Sequence, residues 1–309
     1  MKRYITVILI VLIFLNSLAL SVFFVIHSHR GFSSMHSRSI DDIERQVIQR
    51  LDSFHILVRP FEDCARDYIE DSLLGAYGNL YDQTGGKPFS ANGEMLKAVS
   101  AGYEGLELYL INERGIVEES TFESDIGLDL LGLDESFSEF LRSVYGKEEV
   151  FTQRISLSNM QGTKMIYSYF SPRGSNRIIE ASISFGDFIE SRYSKELHDY
   201  LFEDYFTEIQ DTNSSLAGFD IIYQTSLSSR SLLTGSEIAL DPEISASLGN
   251  GSVHRSRNGK TLVHYVKRSM ERSGFDFVQY PIIYLEYDLS SYYGFMNRFY
   301  LMAGLSVFL

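Results

Sequence analysis

The chain has 309 residues, room for about two domains at roughly 150 residues each. Its 41 acidic residues exceed its 27 basic ones, so the formal charge is −14, which argues against nucleic acid or an anionic lipid surface as the main partner. The lone cysteine, Cys64, rules out an intrachain disulfide and a cysteine zinc site, and reads as a small apolar filler on a helix.

Residues 4–26 carry no charge, and Thr6, Asn16, Ser17 and Ser21 are their only markedly polar members. About 20 apolar residues suffice to span a bilayer core. Lys2 and Arg3 precede the run, which places the N-terminus in the cytoplasm. A signal-peptide core would be shorter, about 7–15 residues, so an uncleaved anchor in the cytoplasmic (inner) membrane is expected. Residues from about 30 to 290 would then be extracytoplasmic.

Residues 39–73 read as a long helix, with Ser39 as N-cap and Asp41 and Asp42 in an acidic first turn. Ile40, Ile43, Val47, Leu51, Phe54, Val58, Phe61, Ala65 and Tyr68 form a seam at spacings of three and four. Pro60 lacks a backbone donor and should kink the helix. Such a seam can bury against the chain's own modules or join two copies, and a homodimer through this stalk is expected. Residues 75–93, rich in Gly, Asn and Asp, should form a loop, followed by a short helix over 94–101.

Residues 106–131 carry a hairpin signal. Leu106, Leu108 and Leu110 share one strand face, and Glu107, Tyr109 and Ile111 the other. Asn112, Glu113, Arg114 and Gly115 supply the turn, the second strand runs over 116–121, and Gly127 precedes a short Leu-rich helix. A further helix is expected over 134–145, with Phe137, Phe140, Leu141 and Val144 on one face. Strands over 150–157, 164–170 and 178–184 complete one antiparallel sheet of five. Residues 185–206 look helical. A second set of strands is expected at 219–223, 252–257, 261–267 and 277–287, with turns at Gly249-Asn250-Gly251 and Asn258-Gly259. The order of elements looks repeated. Gly105 to Tyr109 is echoed by Gly218 to Ile222, and Gly162 to Tyr167 by Gly259 to His264. The apolar residues 299–309, behind Tyr292, Tyr293, Arg298 and Tyr300, read as the start of a second membrane span.

An apolar strand, a polar turn with Gly115, a second strand ending at Thr121 and Gly127 before an apolar segment resemble the first hairpin of a distal double Cache module. With the flanking span, long helix, second set of strands and returning span, the resemblance to double Cache extracytoplasmic sensors covers about residues 4–309. It implies an α+β fold: an N-terminal transmembrane helix (1–30), a stalk helix (31–79), two PAS-like antiparallel-sheet modules and the start of a second transmembrane helix (291–309). The membrane-distal module with its connecting helix would take 80–206, and the membrane-proximal module 207–290. The resemblance implies a small-ligand sensor of a bacterial signal-transduction receptor, with its ligand in the distal module. A membrane-tethered enzyme or an interaction protein is the rival reading. The amino-acid-binding members carry Arg-x-Trp and Tyr-x-Asp pairs and an Asp on the last distal strand. This chain has no Trp, no Tyr-x-Asp around residues 150–155, and Ser182 where that Asp is expected.

No phosphate-cradling Gly-Lys-Ser/Thr loop and no Gly-x-Ser-x-Gly elbow is present. The seven histidines are scattered, so no metal site and no cofactor is expected; His254 and His264 could face one another across a turn. The adjacent pairs Glu118-Glu119 and Glu148-Glu149 suit a solvated surface. Tyrosine combines apolar area with a polar tip, which suits a small-molecule pocket. The candidate ligand residues are Tyr109, Tyr167, Tyr169, Glu180 and Ser182, with Arg154 as a cation for a carboxylate. Alternation places Tyr167 with Tyr169, and Glu180 with Ser182.

Overall fold

The computed structural model describes residues 2–133, 135–158, 162–224, 228–248, 253–267 and 281–308. The fold is α+β, with two antiparallel sheets set along one long helix, α1 (Lys2–Gln83). Its 82 residues correspond to about 120 Å at 1.5 Å per residue. From Val11 onward α1 contains a stretch long and apolar enough to cross a membrane, and that stretch is exposed.

Span and stalk are therefore one helix. Ser39 starts nothing, because the chain before it is already helical, and the helix passes through Pro60 without a break. Packing on both sides of the proline, by Val58 and Glu62, holds it there. The loop expected from Gly75 begins only after Gln83. Gly75 serves close approach instead: a methyl group there would overlap the Tyr103 hydroxyl.

The distal sheet comprises β1 (Glu107–Ile111), β2 (Val117–Ser120), β3 (Val150–Thr152), β4 (Ser156–Leu157), β5 (Lys164–Phe170) and β6 (Ile178–Ser184). Its order is β2-β1-β6-β5-β3, with β4 also on β5. The expected strand over 150–157 is thus two short strands, broken at residues 153–155. The β1–β2 turn forms as expected: Asn112 Oδ1 accepts from the N–H groups of Arg114 and Ile116 at 2.9 and 3.0 Å. Gly115 takes a positive φ of 74°. The Leu-rich helix after Gly127 is only a single 3-10 turn over Leu130–Gly132, held by the Asp129 carboxylate. Helix α2 (Gly93–Ser100) and helix α3 (Glu135–Val144) flank the sheet.

The expected helix over 185–206 is a chain of short pieces: α4 (Phe185–Arg192), α5 (Lys195–Asp199), a π turn (Tyr200–Asp204) and α6 (Tyr205–Thr212). The proximal sheet follows, with β7 (Leu216–Gln224), β8 (Ser229–Ser231), β9 (Val253–Asn258), β10 (Thr261–Lys267) and β11 (Ile282–Asp288) in the order β8-β7-β11-β10-β9. A short helix, α7 (Pro242–Ser247), lies between β8 and β9. The turn expected at Gly249-Asn250-Gly251 and the start of the strand expected over 277–287 lie outside the described residues.

The repeat is real at the level of strand order. The cross-strand row Glu107–Ser182–Tyr167 is matched by Asp220–Tyr284–Tyr265. The echo of Tyr167 by His264 is off by one residue, and a one-residue slip moves a side chain to the other face. His264 accordingly turns inward, its Nδ1 3.2 Å from Glu44 Oε2 on α1. The register pairs His254 with Tyr265 and His264 with Arg255, so the two histidines are not partners.

The expected stalk seam is buried, but within one chain. Ile40, Ile43, Val47, Leu51, Phe54, Val58 and Ala65 belong to the core shared with both sheets. The seam therefore cannot be the face that joins two copies, because the chain's own modules occupy it. Phe54 packs on Tyr205 and Phe206 with ring centroids 5.4 and 5.1 Å away, and Tyr77 packs on Phe170 of β5 at 5.0 Å. Cys64 is an exposed residue beside Tyr193 rather than a buried filler. Helix α8 (Ser290–Phe308) begins within a residue of the expected 291 and packs back along α1. Phe32 meets Phe295 at 4.7 Å, and the Tyr300 hydroxyl lies 2.8 Å from His29 Nδ1.

Val47→Asp should cost about 3–5 kcal/mol, because it buries an unpaired charge at a fully buried position. Denaturant unfolding of the full chain in detergent should record that loss at every protein concentration. A loss that vanishes when the chain is concentrated would point back to a seam between copies.

Candidate functional site

Strand alternation and helix α1 together decide which way each candidate points. Ile166, Phe170, Ile179, Ala181 and Ile183 face α1 in the main core. Tyr109, Tyr167, Tyr169, Glu180 and Ser182 therefore share the opposite, outer face, and β1, β6 and β5 bring them together in register. Helix α3 covers one end, where Phe140 meets the Tyr169 ring edge-on at 5.4 Å.

Two acidic residues that the sequence reading did not single out complete the cluster. Glu107 stands two residues before Tyr109 on the same face and pairs across the sheet with Ser182. The Tyr109 hydroxyl donates to Glu107 Oε2 at 2.8 Å, and the Ser182 hydroxyl lies 3.3 Å from the same oxygen. The shared face of Glu107 and Tyr109 was visible in the alternation; what was missing was which face mattered. Asp125 enters from the 3-10 turn Glu123–Asp125, and its Oδ1 is buried without a hydrogen-bond partner. Nothing in the spacing marks Asp125.

Glu180 stands at the centre. It is 5% exposed, and its carboxyl makes no hydrogen bond among the described residues. Burial first, then the nearby Asp125 and Glu107, push its pKa well above the usual carboxylate range. Asp125 is raised for the same reasons, burial first and Glu107 second. The Tyr169 phenol is also pushed up, by burial and then by Glu180. The Tyr167 phenol is raised by burial, then by Glu180, Asp125 and Glu107, against a lowering hydrogen bond from Ser158.

Arg154 is not on this face. Its Nη1 lies 2.9 Å from Glu62 Oε2 on α1, and the Ile155 N–H donates to Glu62 Oε1 at 3.2 Å. Arg154 and Glu62 side chains are 10% and 4% exposed, so the pair is a buried anchor between the stalk and the strand break, not a ligand cation. Arg154 is near the tyrosines in sequence, but nearness in sequence says nothing about the face.

No family model and no curated protein matches the chain. Solved structures similar to it include an extracellular ligand-binding receptor from Desulfohalobium retbaense, at 10% identity and a TM-score of 0.32, over 76% of this chain. The match spans only 40% of that receptor. The ligand-binding domain of a Campylobacter jejuni chemoreceptor, in complex with 4-methylisoleucine, is similar at 13% identity and a TM-score of 0.37, over 81% of this chain and 92% of that one. The sensor domain of the V. cholerae histidine kinase DctB is similar at 12% identity and a TM-score of 0.30, over 82% and 95%.

A carboxyl whose folded pKa is raised holds its proton more tightly in the folded state than in the unfolded chain. Stability is then fully present below the unfolded pKa, about 4.3, and is lost as pH rises toward the raised folded value. Glu180→Gln removes that loss. In thermal unfolding without ligand, the variant should match the parent near pH 4 and exceed it increasingly as pH rises.

Proposed function

We propose that this chain is the sensing region of a membrane-anchored receptor of double Cache type. On this reading it binds a small ligand on the outer face of the distal sheet, outside the cytoplasm, and passes a displacement along α1 and α8 into the membrane. The observation that carries the reading is Glu180: a buried carboxyl without a hydrogen bond among the described residues, set among three tyrosines on a sheet face. An unsatisfied buried carboxyl destabilises a fold, and such strain concentrates at binding sites. The architecture supports the reading too. The proximal module packs beside the part of α1 nearest the apolar stretch, and the distal module beside its far end. A ligand can bias two packings of this scaffold only by its differential affinity for them.

Two measurements test this proposal. A periplasm-active reporter fused after Gly235 should be active and a cytoplasm-active one silent; the reverse overturns the topology. A thermal-shift screen of the full chain in detergent, across amino acids, organic acids, amines, sugars and purines, should find a stabilising ligand. At about 100 times its dissociation constant the gain should be roughly 2.7 kcal/mol. Tyr167→Ala should abolish it; a ligand whose gain survives that change binds elsewhere.

A further inference from the structure

The chemistry of the distal face narrows what can bind there. Resting on the site reading above, we propose that the ligand is an organic cation: a primary or quaternary ammonium on an apolar body, carrying no carboxylate of its own.

Three carboxyl-bearing side chains, Glu107, Asp125 and Glu180, meet at this face, and the charged groups that bear on Glu180 are Asp125 and Glu107, both acidic. Three basic residues of the distal module are held by other carboxylates. Arg154 is held by Glu62, Arg177 by Glu118 at 2.9 Å, and Lys97 by Glu123 at 2.5 Å on the surface. An acidic cluster alone could simply be hydrated surface. The decisive second observation is that the Glu180 side chain is 5% exposed, makes no hydrogen bond among the described residues, and lies on the tyrosine face. Asp125 Oδ1 is buried and has no hydrogen-bond partner among the described residues. These oxygens are acceptors awaiting a donor, and an ammonium group supplies charge-assisted donors. The tyrosine rings suit it as well, since a cation is drawn to the face of an aromatic ring.

The same geometry selects against two other ligands. An α-amino acid would bring a carboxylate into an acidic site where Arg154, the one basic candidate, turns away toward α1. A bare metal ion needs ligand atoms that converge. Among the described residues the only such group is His198, Asp199 and Glu203, elsewhere in the chain. Carboxyls spread around tyrosine rings fit an extended organic cation better than a point charge.

Calorimetry on the full chain in detergent provides the test, with putrescine, ethanolamine and choline as probes and acetate, L-alanine and Mg²⁺ as controls. At least one amine should bind and the controls should not. Because only the ionised Glu180 attracts the cation, binding should tighten as pH rises and release protons, read by comparing buffers of different ionisation enthalpy. Glu180→Gln should lower affinity tenfold or more and reduce the proton release, while keeping or raising the unliganded melting temperature. Asp125→Asn, as an independent variant, should also weaken binding. Failure of all three amines to bind overturns the cation assignment, as does binding of Mg²⁺ in their place. If acetate or L-alanine binds instead and Tyr167→Ala removes it, the cation assignment fails while the distal site stands. If an amine binds and neither Glu180→Gln nor Tyr167→Ala changes it, the distal site itself is wrong.

Discussion

Everything outside the apolar stretch depends on one buried face of α1. Residues at spacings of three and four along it, from Ile40 to Leu80, enter a core to which both sheets contribute. Each sheet therefore has one face fixed by the helix, and the outer face of the distal sheet carries a second, smaller core in which Tyr109, Ile111, Tyr169 and Ile178 meet Leu141 and Val144 of α3. Two buried polar contacts fix where the sheets sit along it. Glu62 holds Arg154 and the Ile155 N–H at the break in the distal edge, and Glu44 meets His264 of the proximal sheet. Neither contact need add much net stability, since desolvating charged groups offsets much of their attraction. Their worth lies in register: sliding either sheet by a residue would strand a polar group without its partner.

The two modules share strand order but differ in how their outer faces satisfy polar groups. In the proximal row, Asp220 accepts from the Ser231 hydroxyl at 2.7 Å and from the Ile221 N–H at 2.7 Å. The Tyr284 hydroxyl donates to Glu286 at 2.6 Å. That row is closed on itself. In the distal row Glu107 is paired with Tyr109 and Ser182, but the neighbouring Glu180 is left open. A closed network gains little from a ligand, whereas an open buried carboxyl gains the whole of a missing partner. The same architecture thus favours the distal module as the place where a ligand changes the energy most.

The grouping of Tyr167 with Tyr169 and Glu180 with Ser182 was legible in the sequence, because strand periodicity is fixed by backbone geometry. Whether these pairs faced the pocket was not, since that depends on which side α1 takes. Arg154 shows the limit from the other direction: its partner Glu62 is 92 positions away. The long helix was legible as two pieces but not as one, and its far end was placed too early. Ser39 and Gly75 are local stop or start signals, yet both lie inside the continuous helix. Gly75 proved to be a contact residue for Tyr103, a role that a turn-forming preference cannot announce.

On the proposed reading, α1 is not the only element that touches both modules. Tyr167 on the ligand face is bonded to Ser158, whose carbonyl accepts from the Gly162 N–H at 2.9 Å. Gly162 meets Gly235 of the proximal module backbone to backbone, so closely that a methyl on Gly162 would overlap the Gly235 carbonyl. Gly235 in turn donates its N–H to the Ser231 carbonyl at 2.9 Å, and Ser231 holds Asp220. Both glycines have positive φ, 70° and 72°, which only glycine adopts without strain. The contact is thus made of two backbones with no side chain to cushion it. A rigid helix on one face and a bare backbone contact on the other leave the distal module little freedom to shift alone. On that reading, a small movement at Tyr167 reaches the proximal loop through Ser158 and Gly162 as well as through the core that the distal sheet shares with α1.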